Sequence, residues 1–149
     1  MTPDEMRSSI GARFGIEVAA GNPMTATVPP DRWLELARFA KETLGFAFFS
    51  FLTAVDWKEQ GLEIVVRVDN LRDNAALTLK TRLGPGVSSC SSLTSVYRGA
   101  DWMERECWDM FGVRFEGHRD LRRILLEDTW EGHPLLKSYA VDTPYPPYR

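Results

Sequence analysis

The segment ERECWDMFG, residues 104–112, holds three carboxylates and an arginine among bulky apolar side chains. Glu104, Glu106 and Asp109 are of the type that exchanges protons in acid/base catalysis. Arg105 stands four residues before Asp109 and can pair with it along a helix. At about 100° per residue, Met103, Cys107, Met110 and Phe111 share one arc, and Trp102, Arg105, Glu106 and Asp109 share the opposite one. Glu104 and Trp108 fall between. This spacing keeps Glu104 away from the other two carboxylates, and no nucleophile or phosphate-binding loop accompanies them. Two readings remain beside catalysis. Either the charged arc is solvated, with two stray tryptophans, or both arcs are covered, the charged one by a second chain. Trp and Arg together are what buried interface anchors look like.

Further potential ligands follow. Arg114, Arg119, Arg122 and Arg123 taken alone look like a phosphate-binding patch. Over residues 101–123, however, five arginines face six carboxylates. Phosphate binding needs an excess of cations, so internal or inter-subunit ion pairing is expected instead. His118 and His133 lie fifteen residues apart with Cys107 as the only nearby thiol, and they read as ordinary hydrogen-bonding histidines. Cys90 and Cys107 match no zinc or redox spacing. Nothing around Cys90 would activate a thiolate.

The elements that must position these residues are legible. The chain has 149 residues, 44% hydrophobic and 26% charged, with a net charge of -3. Those values fit one globular domain and give no general attraction to nucleic acid or anionic lipid. Residues 44–55 form an apolar run too short for a membrane span of about 20 residues. Asp4 and Glu5 near the start argue against a signal peptide. Thr2, Pro3 and Glu5 announce a capped helix carrying Met6, Ile10 and Phe14 on one face. Residues 16–28 read as a weak hairpin around Gly-Asn-Pro. A second helix spans residues 29–45, with Trp33, Leu36, Ala37, Ala40 and Leu44 inward. FAFFSFLTAVDW is apolar on both faces and reads as a central buried strand. LEIVVRVD and ALTLKTRL alternate as half-buried strands joined by a hairpin loop. GPGVSSCSS reads as a loop, and a short helix is expected over residues 100–111. We therefore expect an α+β fold, a mainly antiparallel sheet with helices packed on one face. Residues 1–127 form the domain. Residues 128–149 form a proline-stiffened, extended tail. Its anchors Trp130, Leu135, Leu136, Tyr139, Tyr145 and Tyr148 are numerous for a free end, so it reads as a strap across a partner surface.

ERECWDMFGVRFEGHRDLRRILL resembles the signature of the thirty-kilodalton subunit of respiratory complex I, the C-type subunit of NADH-quinone oxidoreductase. Glu104, Arg105, Glu106, Asp109, Met110, Phe111, His118, Arg122, Ile124 and Leu125 fill its fixed positions. WEGHPLLKSY resembles the family's tail motif through Trp130, Pro134, Lys137 and Tyr139, and the likeness covers residues 46–139. Arg119 departs from it, standing where the family usually has proline. Leu136, Ser138 and Ala140 replace the usual Arg, Asp and Pro. The resemblance implies a peripheral-arm subunit on the cytoplasmic side of the bacterial inner membrane, attached to the membrane only through its complex. It implies no cofactor in this chain, with FMN and Fe–S clusters held by partner subunits and quinone as the substrate of the complex. The implied partners are the D-type (forty-nine-kilodalton) homologue, the B-type cluster subunit and other peripheral-arm subunits, with no nucleic acid. The implied role is assembly and support of electron flow to quinone in a proton-translocating enzyme, without catalytic residues here. The expected interface residues are Glu104, Arg105, Glu106, Asp109, Phe111, Gly112, His118, Arg122 and Arg123, with Trp130, Pro134, Lys137 and Tyr139 of the tail. The alternative is the equivalent subunit of a related membrane-bound hydrogenase or of another quinone or coenzyme oxidoreductase.

Overall fold

A computed structural model describes residues 1–144. Tyr145, Pro146, Pro147 and Tyr148, read above as part of the tail, lie outside the described residues. Helix α1 (Pro3–Phe14) begins as its sequence announces. Thr2 Oγ1 accepts the Glu5 amide at 3.2 Å, and Glu5 Oε2 accepts the Thr2 amide at 2.7 Å. Two otherwise orphaned donors are thereby satisfied. Met6, Ile10 and Phe14 are buried. Helix α2 (Trp33–Glu42) buries Trp33, Leu36, Ala37 and Ala40.

Four strands form a sheet: β1 (Met24–Thr27), β2 (Phe48–Asp56), β3 (Leu62–Asn70) and β4 (Ala75–Gly84), in the order β1-β4-β3-β2. The β2–β3 and β3–β4 pairings are antiparallel, as expected. The register sets Val66 opposite Leu79 and Val68 opposite Leu77. These side chains join the buried residues of α1 and α2 in one core cluster. Each fully buried aliphatic side chain contributes about 1.5–3 kcal/mol. The alternate residues Arg67, Thr78 and Lys80 are half-exposed on the opposite face. The fold is α+β.

Three local expectations are corrected. The hairpin over residues 16–28 reduces to one isolated bridge between Ala19 and Thr25, and β1 pairs parallel to β4 instead. Two β-branched segments around a turn do not specify each other when a long alternating strand is available. The Phe-rich β2 is an outer strand, not a central one, and leaves Phe48 52% and Phe51 42% exposed. Helix α3 (Ala100–Phe111) lies along it, and the Leu52 amide donates to Met103 Sδ at 3.2 Å. A covered edge is protected from pairing with other chains. The GPGVSSCSS segment contains strand β5 (Ser89–Ser91), which pairs parallel with β6 (Arg114–Glu116) in a second small sheet. Isolated three-residue strands lack the alternation that would mark them in sequence.

Candidate functional site

The signature residues converge on α3 and the chain that follows it. Cys107 and Met110 are buried on the core side and Met103 is partly buried there, as the helical wheel requires. Glu104 joins that side with no exposed surface. Its Oε1 accepts the Ser92 hydroxyl at 2.6 Å and its Oε2 the Leu93 amide at 2.9 Å, which ties α3 to the end of β5. Burial pushes its carboxyl up to about 7, against the lowering effect of those two bonds.

That shift has a stability consequence. The unfolded chain releases this proton near the ordinary carboxyl value of 4.5, whereas the folded chain holds it to about 7. The contribution is therefore neutral below the lower value, turns increasingly unfavourable between the two, and levels off above the upper one at roughly 3 kcal/mol. Glu104→Gln, which mimics the protonated form, is expected to flatten the fall in Tm across that window and to unfold at a higher temperature than the parent above neutral pH. Thermal melts at a series of pH values check this. An unchanged slope would show that Glu104 is ionised in the fold throughout.

Two residues of the opposite arc, Arg105 and Asp109, are covered by the chain's own residues 122–126. Asp109 is fully buried, and its Oδ2 accepts three successive amides, from Ile124 at 3.2 Å, Leu125 at 2.8 Å and Leu126 at 2.9 Å. Arg123 Nη1 donates to its Oδ1 at 2.7 Å. Burial raises the Asp109 carboxyl, but Arg123 and the three amides outweigh it and hold it below the ordinary carboxylate range. Arg123 also donates through Nη2 to the carbonyls of Trp130 at 2.8 Å and Gly132 at 2.9 Å. Arg105 does not bond Asp109. It donates to the carbonyls of Arg122 at 3.2 Å and Arg123 at 2.8 Å and is only 7% exposed. Trp102 and Glu106, which share the arc with Arg105 and Asp109, stay exposed, Trp102 at 69%. The predicted charged face is thus split into a buried internal joint and an open remainder.

The two histidines are backbone clamps. His118 Nδ1 accepts the Asp120 amide at 3.0 Å, which leaves the proton on Nε2, 2.9 Å from Asp101 Oδ1. His133 Nδ1 donates to the Asp109 carbonyl at 3.0 Å, and its ring lies 5.1 Å from that of Trp108. Arg114 stacks on Trp108, its guanidinium carbon 5.1 Å from the ring centre. Gly112 ends α3 at φ +74°, where a side chain is strained, and an added Cβ would stand 2.7 Å from the His133 ring. Gly112→Ala should cost about 1–3 kcal/mol, read by denaturant unfolding. An unfolding midpoint equal to the parent's would show that the turn at Gly112 relaxes to admit a side chain.

The tail runs back over the domain. Through its described part, residues 128–144, it has no helix or strand and proceeds by turns. The Leu135 amide donates to the Met110 carbonyl at 3.0 Å, and the Lys137 amide to Asp56 Oδ2 at 2.8 Å. Pro134 and Tyr139 are half-buried, while Leu125 is 62% exposed. Arg122 points outward and pairs with Asp120 at 3.0 Å. Phe111 is partly buried against the core. Among the described residues no cluster of three His, Cys, Asp or Glu could hold a metal ion. Cys90 and Cys107 are free and buried, and burial pushes both thiols well up. Glu104 is sealed, Asp109 is saturated by four donors, and Glu106 faces solvent. The three carboxylates share no cleft.

A model of the respiratory-chain NADH dehydrogenase 30 kDa subunit family matches residues 26–145. The chain belongs to that family. It is 36% identical over 124 residues to the C-type subunit of NADH-quinone oxidoreductase from Geobacter sulfurreducens, covering 81% of this chain and 76% of that protein. It is 36% identical over 165 aligned positions to the C/D-type subunit of NADH-quinone oxidoreductase from Rhodopseudomonas palustris, covering 99% of this chain but 28% of that longer protein. A chain of the membrane-bound sulfane sulfur reductase, an archaeal respiratory membrane complex, superposes with a TM-score of 0.83 at 25% identity, over 93% of this chain and 85% of that one. Its relatives are subunits of an oxidoreductase complex. No helix among the described residues is long and apolar enough to cross a membrane.

For a member of this family, the internal partners of the signature are what sequence reading misses. Ser92 and Leu93 hold Glu104, and Asp56 holds the tail. The Asp109 partners are mostly backbone amides, which every residue carries and which leave no mark in the sequence.

Proposed function

We propose that this chain is a peripheral-arm subunit of a proton-translocating NADH:quinone oxidoreductase. It would bind no cofactor and contribute no catalytic group. FMN and Fe–S clusters would belong to partner subunits, and quinone to the complex. Its role is assembly and support of the electron path to quinone. The complex would hold it at the cytoplasmic side of the inner membrane. The observation that carries this reading is the relative named as a C/D-type subunit, in which a chain like this one is part of a longer polypeptide. It supports a D-type (forty-nine-kilodalton) homologue as direct partner, with a B-type cluster subunit nearby. Residues 1–127 would form the domain and residues 128–149 would brace the contact.

The proposed interface is built on the internal joint. Arg105, Asp109 and Arg123 shape the turn at residues 122–126, with Glu104 and His118 fixing the two ends of that framework. Trp102, Glu106, Arg122 and Leu125 are left to face the partner. Phe111, Gly112, Trp130, Pro134, Lys137 and Tyr139 set the course of the tail. Affinity purification of the tagged chain from detergent-solubilised membranes, with mass-spectrometric identification, tests the reading. Co-purification of a D-type homologue together with flavin-binding NADH-input subunits is the expected result. Recovery of the chain alone would sink it.

The likeness to the sulfane sulfur reductase chain favours a second reading, the equivalent subunit of a related membrane-bound hydrogenase or other oxidoreductase. Co-purification of the D-type homologue without any flavin-binding NADH-input subunit would select it.

A further inference from the structure

The turn that joins β5 to α3 carries a surface that shares only His118 with the proposed joint. Two adjoining recesses share Thr94, Ser95 and Arg98. One is walled by Lys41 and Phe48, the other by Arg119. Phe48 is 52% exposed, a large apolar side chain left on an outer strand. Arg98 and Arg119 are exposed, and neither makes an ion pair among the described residues. Lys41 Nζ donates to the Val96 carbonyl at 2.6 Å and lies over the Tyr97 ring, so its charge meets no carboxylate either. The one carboxylate at the recess, Asp101, is bonded by His118 Nε2. Lys41 and Arg98 thus share one recess with an exposed phenylalanine, and Arg98 and Arg119 share the adjoining one, on a chain whose net charge is -3.

We propose that these recesses are a docking surface for an acidic segment of a neighbouring subunit. Carboxylates would meet Arg98 and Arg119, and an apolar side chain would lie against Phe48. This rests on the reading of the chain as a subunit of a larger complex. A mixed charged and apolar surface fits a peptide segment, in which carboxylates and apolar side chains alternate within a few residues. A nucleic acid needs an excess of cations along its backbone, whereas over residues 101–123 six carboxylates face five arginines.

The test is photo-crosslinking in membranes containing the whole complex. A benzoylphenylalanine is placed at Ser95 in one variant and at Leu125, beside the internal joint, in another. The expected result is a cross-link from position 95 to a segment of another subunit rich in Asp and Glu. Arg98→Glu with Arg119→Glu should reduce that cross-link at least tenfold while the one from position 125 persists. Arg119→Pro should give an intermediate loss. A cross-link from position 125 but none from position 95 overturns the docking surface and leaves the subunit reading standing. Absence of both overturns the two together. A nuclease-sensitive cross-link, or one to a segment without acidic residues, also overturns the proposal.

Discussion

Asp109→Ala lowers the unfolding free energy by about 3–5 kcal/mol. The substitution removes the one anion that three successive amides and the Arg123 guanidinium share. Arg123, mostly buried, loses its charged partner, and the amides at residues 124–126 lose their acceptor. The loss is local in its first effect. Hydrogen exchange should quicken at residues 122–137 well before the β3–β4 amides, because the sheet makes no bond to Asp109. Asp109→Asn should cost less, since its oxygen still accepts, but the amide cannot reproduce the charge. Acid should imitate the substitution. The Asp109 carboxyl is held below the ordinary range, so its stabilisation is complete above the unfolded value of 3.8 and is lost as pH falls through the lowered folded value. Exchange rates and denaturant melts read both effects. An Asp109→Ala variant within about 1 kcal/mol of the parent would mean that the turn at residues 122–126 holds itself.

The second large effect is Arg105→Glu, which should abolish incorporation of the chain into the complex proposed above. Arg105 donates to two carbonyls, those of Arg122 and Arg123, and is almost fully buried. A glutamate there turns two attractions into repulsions. It also adds a second carboxylate four residues before Asp109, on the same side of α3. A cost of several kcal/mol follows, because an uncompensated charge is left in a buried site. The turn that presents Arg122 and Leu125 would then lose its shape. The measurement pairs a melt of the isolated variant with recovery of the complex and NADH:quinone activity in membranes. Loss of incorporation with a destabilised turn is the expected pair. Full incorporation and normal activity would show that this joint has no part in assembly. Arg105→Lys should fall between, since a single ammonium lacks the planar fork that reaches both carbonyls.

Local structure was legible where one short segment contains its own determinants. The Thr2–Glu5 capping box, the Met6/Ile10/Phe14 stripe and the alternation in β3 and β4 all emerged as read. Pairings between distant segments were not. Alternation shows that β3 and β4 are half-buried but is silent on β1 joining β4 in parallel, with residues 28–74 between them. Phe-rich β2 reads as central because its composition reports apolarity. Its edge position depends on α3 and on surface that the described chain leaves uncovered.

The same division runs through the candidate site. By itself the sequence determined that residues 104–111 are helical, that Cys107 and Met110 face inward, and that the surrounding arginines and carboxylates nearly balance. Those facts depend on residue type and on a period of about 3.6. Only the tertiary structure decided which charges are buried. It sealed Glu104 against Ser92 and Leu93, and it bound Asp109 to the amides of residues 124–126 rather than to Arg105. The physical reason is that a carboxylate leaving water takes whatever donors the fold brings within about 3 Å, and backbone amides from a distant turn qualify as well as any cation. Residue types name the donors and acceptors; the folded path of the chain chooses among them.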